Sequence, residues 1–101
     1  MYRVPVDRLR HIPCLQILPV LQKNLTPDQS CAWDIWYGFI ENTLYQSKSD
    51  DRFYLTMNCG HTTITTIYDT FDAAVDAIPE QIDKCTVMAI ANANDRNKES
   101  S

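Results

Sequence analysis

Five carboxylates recur at helical spacing in the second half of the chain. They are Asp69, Asp72, Asp76, Glu80 and Asp83. Intervals of three and four residues place side chains on one face of a helix, and no lysine or arginine occurs between Tyr54 and Asp83 to offset the charge. The pattern predicts either a solvated helix face or a surface that binds a basic partner protein. A helix break at Pro79 would turn Glu80 and Asp83 away from the other three.

Cysteine and histidine offer a second kind of chemistry. Cys59 and His61 flank Gly60 and have the side-chain types of a nucleophile and its base. With His11 and Cys14 they could instead supply four zinc ligands. No third residue orients the thiol and imidazole, and the spacings match no familiar zinc module. We therefore predict no catalytic residues, no metal and no cofactor, and we keep a small Cys/His metal-dependent domain or enzyme as an alternative.

The thiols and the first twenty residues bear on the cellular compartment. That segment contains Asp7, three arginines and three prolines, whereas a signal peptide has an uninterrupted apolar stretch. No apolar run approaches the roughly 20 residues of a membrane span. We therefore predict a cytoplasmic protein without membrane association. Its four cysteines are expected to be reduced thiols, although their even number would permit three disulfide pairings in a secreted protein.

Aromatic residues concentrate between residues 26 and 46. The segment begins with Thr26, Pro27 and Gln29, a combination typical of a helix N-terminus, and a helix to about Gln46 is predicted. Its apolar residues would fill an arc of about 200 degrees, wider than the stripe of about 100 degrees that a surface helix needs. One flank is therefore a candidate interface with a partner or with a second copy of the chain. The flanks are Trp33 with Tyr37 and Ile35 with Phe39.

The remaining elements follow from periodicity. Residues 52–58 alternate in polarity and residues 61–68 are rich in Thr and Ile, which predicts a hairpin with Leu55 opposite Ile64 and with Ile67 on the other face beside Tyr54. A helix capped by Asp69 or Thr70 should follow. Residues 85–91, CTVMAIA, are apolar on both alternating sides, which is typical of an interior strand. Residues 1–25 are interpreted as a brief edge strand at 2–6 and two short helical pieces.

These elements predict an α+β fold. The architecture is a two-layer sandwich whose small mixed sheet combines the hairpin with a strand returning through a βαβ crossover, and helices cover one face. The chain has 101 residues, enough for a single domain at 1–91. Residues 92–101, NANDRNKESS, have the composition of a disordered tail.

The charge balance completes the functional prediction. The net charge is −4 and the basic residues are scattered, which disfavours direct nucleic-acid binding. We predict a small acidic protein-binding inhibitor, without catalytic activity, whose partner has a basic surface. By analogy alone, it would be a phage or mobile-element inhibitor of a nucleic-acid-handling complex, a DNA mimic of the anti-CRISPR kind, or a toxin's immunity protein. A homodimeric accessory subunit is the further alternative.

Overall fold

A computed structural model of the chain describes residue 9, residue 12 and residues 14–99, with the side-chain surroundings of residue 89 and residues 92–99 left aside. The elements are β1 (Leu15–Pro19), a short 3-10 turn (Gln22–Asn24), β2 (Gln29–Tyr37), β3 (Ile40–Ser47), β4 (Phe53–Cys59), β5 (Thr62–Tyr68) and α1 (Phe71–Glu99). The five strands form one antiparallel sheet in sequence order. The α+β class is confirmed. The strand expected at 2–6 lies outside the described residues.

The predicted helix at 26–46 is wrong, because this segment forms the β2–β3 hairpin. Its start does carry a helix-like contact, since the Thr26 N–H donates to Gln29 Oε1 at 3.2 Å. Farther along, Gly38 and Phe39 form a two-residue turn between Tyr37 and Ile40. Gly38 has a φ of +63°, as the first central residue of a type II′ turn requires. A glycine in mid-helix would instead cost about 1 kcal/mol.

Strand periodicity explains the excess width of the apolar arc. Trp33 and Ile35 belong to the buried core, whereas Trp36 lies between Ile35 and Tyr37 and therefore points to the opposite face. A strand with apolar residues on both faces fills a broad arc when it is plotted as a helix. The first 25 residues show a related error, because Leu15 and Leu18 lie in β1, where short helical pieces were expected.

The β4–β5 hairpin is confirmed, with a shift in register. Its two-residue turn is Gly60 and His61, and Leu55 lies opposite Thr66 instead of Ile64. Such a shift of two residues leaves every side chain on its expected face. Ile67 pairs with Tyr54 on the face away from α1, as the alternation predicts.

α1 begins where the sequence predicts and continues much farther. The Ala73 N–H donates to Thr70 Oγ1 at 3.1 Å, which identifies Thr70 as the capping residue. The helix packs chiefly on β4 through a buried apolar face. That face contains Phe71, Ala74, Val75, Ile78 and Ile82.

Pro79 lies inside α1 and does not end it. Residues 85–91 are consequently helical, so the predicted interior strand, the βαβ crossover and the mixed sheet are wrong. A short apolar run is compatible with either a strand or a helix, and here length decides for the helix. α1 also covers residues 92–99, most of the expected tail, where no proline or glycine interrupts it. The division into a domain at 1–91 and a tail stays a prediction.

A disulfide between Cys59 and Cys85 joins the end of β4 to the middle of α1. It contradicts the expectation of four reduced thiols, whereas Cys14 and Cys31 are free. The two bonded residues are 26 positions apart, and only the return of α1 along β4 brings them together. Sequence spacing carries no signal for such a pair.

The capping contact of Thr70 leads to a first prediction. Replacing Thr70 with alanine leaves the Ala73 N–H without its acceptor, so we expect the free energy of unfolding to fall by about 1 kcal/mol. Urea denaturation followed by circular dichroism measures this change. Thr62→Ala, at an exposed position of β5, is the matched control and should cost less. Equal losses in both variants would contradict the capping role.

Candidate interaction surfaces

Four of the five predicted acidic residues lie on the exposed side of α1. They are Asp72, Asp76, Glu80 and Asp83. Because α1 continues through Pro79, the proline does not separate the last two from the first two. Asp69 precedes the helix, and its Oδ1 lies 3.4 Å from Arg52 Nε. Glu80 Oε1 lies 3.5 Å from Lys84 Nζ. Both ion pairs are largely exposed, so each contributes little to stability.

The acidic series continues into exposed apolar residues on the same side of the helix. Val87 follows Asp83 by four positions and Ile90 follows Val87 by three, so all share one face. Their exposed fractions are 66% and 57%. We name this face the outward seam and define it as Asp72, Asp76, Glu80, Asp83, Val87 and Ile90. Sequence reasoning stopped at Asp83, although the same spacing extends to Ile90.

The predicted aromatic interface is only partly available. Trp33 and Ile35 are buried, and the Trp33 ring lies 4.8 Å from that of Phe71 between their centroids. The prediction that these two residues contact a partner is therefore wrong, because they belong to the core. Tyr37 is half-buried, whereas Phe39 at the tip of the β2–β3 turn is fully exposed.

An apolar cleft of about 360 Å³ opens between α1 and the two hairpin turns. Ile40, Met57, Ile82 and Ile90 contribute apolar walls, and none of the described residues lining it is charged. Ile40 is 45% exposed at its rim. The cleft can hold an apolar side chain or a small neutral molecule.

The face of the sheet away from α1 carries a second aromatic group. Tyr45 and Tyr54 stack with ring centroids 5.2 Å apart, and the Tyr54 hydroxyl donates a hydrogen bond to Asp50. This hydrogen bond lowers the pKa of Asp50 and raises the pKa of Tyr54. None of the five strands contains lysine or arginine, whereas surfaces that stack nucleic-acid bases combine aromatic rings with basic residues.

The Cys/His alternative receives no support from the geometry. Cys59 is buried and bonded to Cys85, so its sulfur is neither a nucleophile nor a metal ligand in this state. His61 is exposed in the β4–β5 turn, and His11 lies outside the described residues. Burial raises the pKa of Cys31 and favours its unreactive thiol form. Among the residues whose side chains the structure describes, no three His, Cys, Asp or Glu form a group that could hold a metal ion.

Comparisons with known proteins identify no relative of this chain. No protein-family model matches the chain, and neither a curated protein nor a solved structure matches it. In the part of the chain that the structure describes, no helix is long and apolar enough to cross a membrane. The outward seam, the apolar cleft and the open face of the sheet are therefore the candidate surfaces.

Proposed function

We propose that this protein binds a basic surface of a partner protein through the outward seam of α1 and blocks that surface. The observation that carries the proposal is the continuity of α1 through Pro79, which keeps four exposed carboxylates on one helix face. Like charges four residues apart destabilise an isolated helix by a few tenths of a kcal/mol per pair. A basic partner would remove this repulsion on binding.

The density of charge suits a partner that recognises phosphates. From Asp72 to Asp83 the helix rises by about 16 Å, at about 1.5 Å per residue, and carries four carboxylates. One strand of DNA carries one phosphate per about 3.4 Å, which is a density of the same order. This supports an inhibitor that competes with nucleic acid for an arginine- and lysine-rich groove. A toxin with a basic active-site surface is the other partner class that the charge fits.

The apolar end of the seam adds a second requirement for the partner. Val87 and Ile90 are exposed, and they extend the same face by two turns beyond Asp83. Apolar contacts of this kind add affinity, whereas charge complementarity mainly supplies orientation and a fast association rate. The partner is therefore expected to combine a basic stripe with an apolar depression at one end.

The test compares the protein with a variant whose seam is neutralised. Asp72→Asn, Asp76→Asn and Glu80→Gln together remove three charges without changing side-chain size. We expect the affinity for a partner captured from lysate and then purified to fall at least tenfold, about 1.4 kcal/mol. Raising the ionic strength from about 0.1 M to about 1 M should lower the affinity of the unmodified protein for its partner, because the screening length falls from about 10 Å to about 3 Å.

A matched control removes the same charge elsewhere. The control variant combines Asp28→Asn, Asp34→Asn and Glu41→Gln. These residues lie outside α1, so the affinity should stay unchanged. If both triple variants bind equally, net charge and not the seam determines binding. If the unmodified protein captures no specific partner, the seam is a solvated face and the proposal is wrong.

A further inference from the structure

β5 forms one edge of the sheet, and its sequence does nothing to discourage pairing with another strand. Its seven residues, TTITTIY, include no charge, proline or glycine. Natural edge strands usually carry lysine, proline or a bulge that prevents edge-to-edge association. The other edge, β1, has only five residues and ends at Pro19. Of the two edges, β5 is thus the one suited to pairing.

The backbone of β5 presents alternate residues to the free edge. Cys59 and Thr62 flank a two-residue turn, so they form a hydrogen-bonded pair, and the next pair along does not. In agreement, the Asn58 N–H donates to Asn42 Oδ1 at 2.8 Å and not to Thr63. By this alternation, Thr63, Thr65 and Ile67 direct their N–H and C=O groups away from β4.

We propose that two copies of the chain pair through β5 in antiparallel fashion, about a twofold axis at Thr65, to form one continuous ten-stranded sheet. In this register Thr65 meets the partner's Thr65, and Thr63 meets the partner's Ile67. All three residues whose N–H and C=O groups point to the free edge then lie opposite residues of the second copy whose groups point back toward them. Each such pair exchanges two hydrogen bonds, so the junction forms about six.

Charge distribution favours a second copy as the occupant of this edge. The strand itself is uncharged, so antiparallel pairing of two identical copies creates no like-charge contact along it. His61 lies just before β5 and Asp69 just after it. Antiparallel pairing brings each His61 to the end of the partner's strand where Asp69 lies. An imidazole and a carboxylate therefore meet at both ends of the junction, and no two like charges do.

Surfaces next to the edge supply further contact area. A groove of about 500 Å³ runs between β5 and α1; Ile64, Thr66, Val87 and Met88 line part of it, and the charged Glu80, Asp83 and Lys84 line it as well. On the other face, Ile67 is 49% exposed and would be covered by the partner's Thr63. A stable interface needs about 1,000 Å² or more in total, so contact through the groove would have to add to that of the paired strands. The outward seam shares Glu80, Asp83 and Val87 with this groove, but pairing through β5 uses none of the seam's carboxylates, so its test at Thr65 is separate from the test of the proposed function.

The experiment places charges on the proposed twofold axis. Thr65→Lys sets two lysines side by side in a dimer, and Thr65→Asp sets two aspartates there. We expect the unmodified protein to sediment as a dimer at about 0.1 mM, a concentration that reports micromolar dissociation constants. Each variant alone should sediment as a monomer. An equimolar mixture of the two variants should restore a dimer, because lysine then faces aspartate.

The control is Thr56→Lys, on β4 directly across the ladder from Thr65. It adds the same charge to the same face, one strand away from the junction, and should leave the dimer intact. Circular dichroism verifies that every variant keeps its fold. A monomeric unmodified protein would overturn the inference, as would dimers of both charged variants. Failure of the mixture to recover a dimer would overturn the axis at Thr65.

Discussion

Replacing Ile35 with alanine is expected to lower the free energy of unfolding by about 2–5 kcal/mol. Ile35 has no exposed surface and lies in β2, between β1 and β3. Its truncation removes apolar contacts and leaves a cavity that a well-packed core closes only in part. Small domains are stable by about 5–15 kcal/mol, so this single change removes a large share of the total.

The adjacent residue provides the control. Trp36→Ala removes a larger side chain from the open face of the sheet, where no enclosed cavity forms, and we expect it to cost less than Ile35→Ala. Urea denaturation followed by far-ultraviolet circular dichroism compares the two without relying on tryptophan fluorescence. A larger loss for Trp36→Ala would mean that the open face of the sheet is covered.

The elements that sequence reasoning predicted correctly are those with a strong local signal. β4 alternates in polarity, β5 is rich in Thr and Ile, and Thr70 caps α1 immediately before a helical apolar series. Local signals fail where apolar residues occupy both sides of an element. β2 has this character because Trp36 lies opposite Trp33 and Ile35, and the wide helical arc is its consequence. Gly38 was the contrary signal, since a single glycine between apolar runs is typical of a turn.

Some candidate surfaces can be predicted from local sequence spacing, and others cannot. The acidic residues of the outward seam share a helix face, so sequence spacing alone groups them. Exposure of Phe39 and burial of Trp33 depend instead on which strands lie next to β2, a property of the whole sheet. The free edge of β5 likewise becomes visible only when the strand order is known. Tertiary topology therefore decides which of the chemically suitable residues are accessible.

The disulfide is the feature that local reasoning had least means to find, and it carries the second large prediction. Reduction of the Cys59–Cys85 bond is expected to lower the free energy of unfolding by roughly 3–4 kcal/mol, from the chain entropy regained by an unfolded loop of this length. The bond ties α1 to the end of β4, so its loss should most affect the part of the helix beyond Cys85. Urea denaturation with and without reductant measures the difference.

Matched cysteine variants separate this bond from general effects of reductant. Cys59→Ala with Cys85→Ala should reproduce the loss and become insensitive to reductant, because neither residue can then be bonded. Cys14→Ala with Cys31→Ala removes only the free thiols, so that protein should keep the full response to reductant. Thiol titration of the unmodified protein, denatured without reductant, should find two reactive groups. Finding four would show that the bond does not form, and the association of α1 with β4 would then depend on the apolar face of the helix alone.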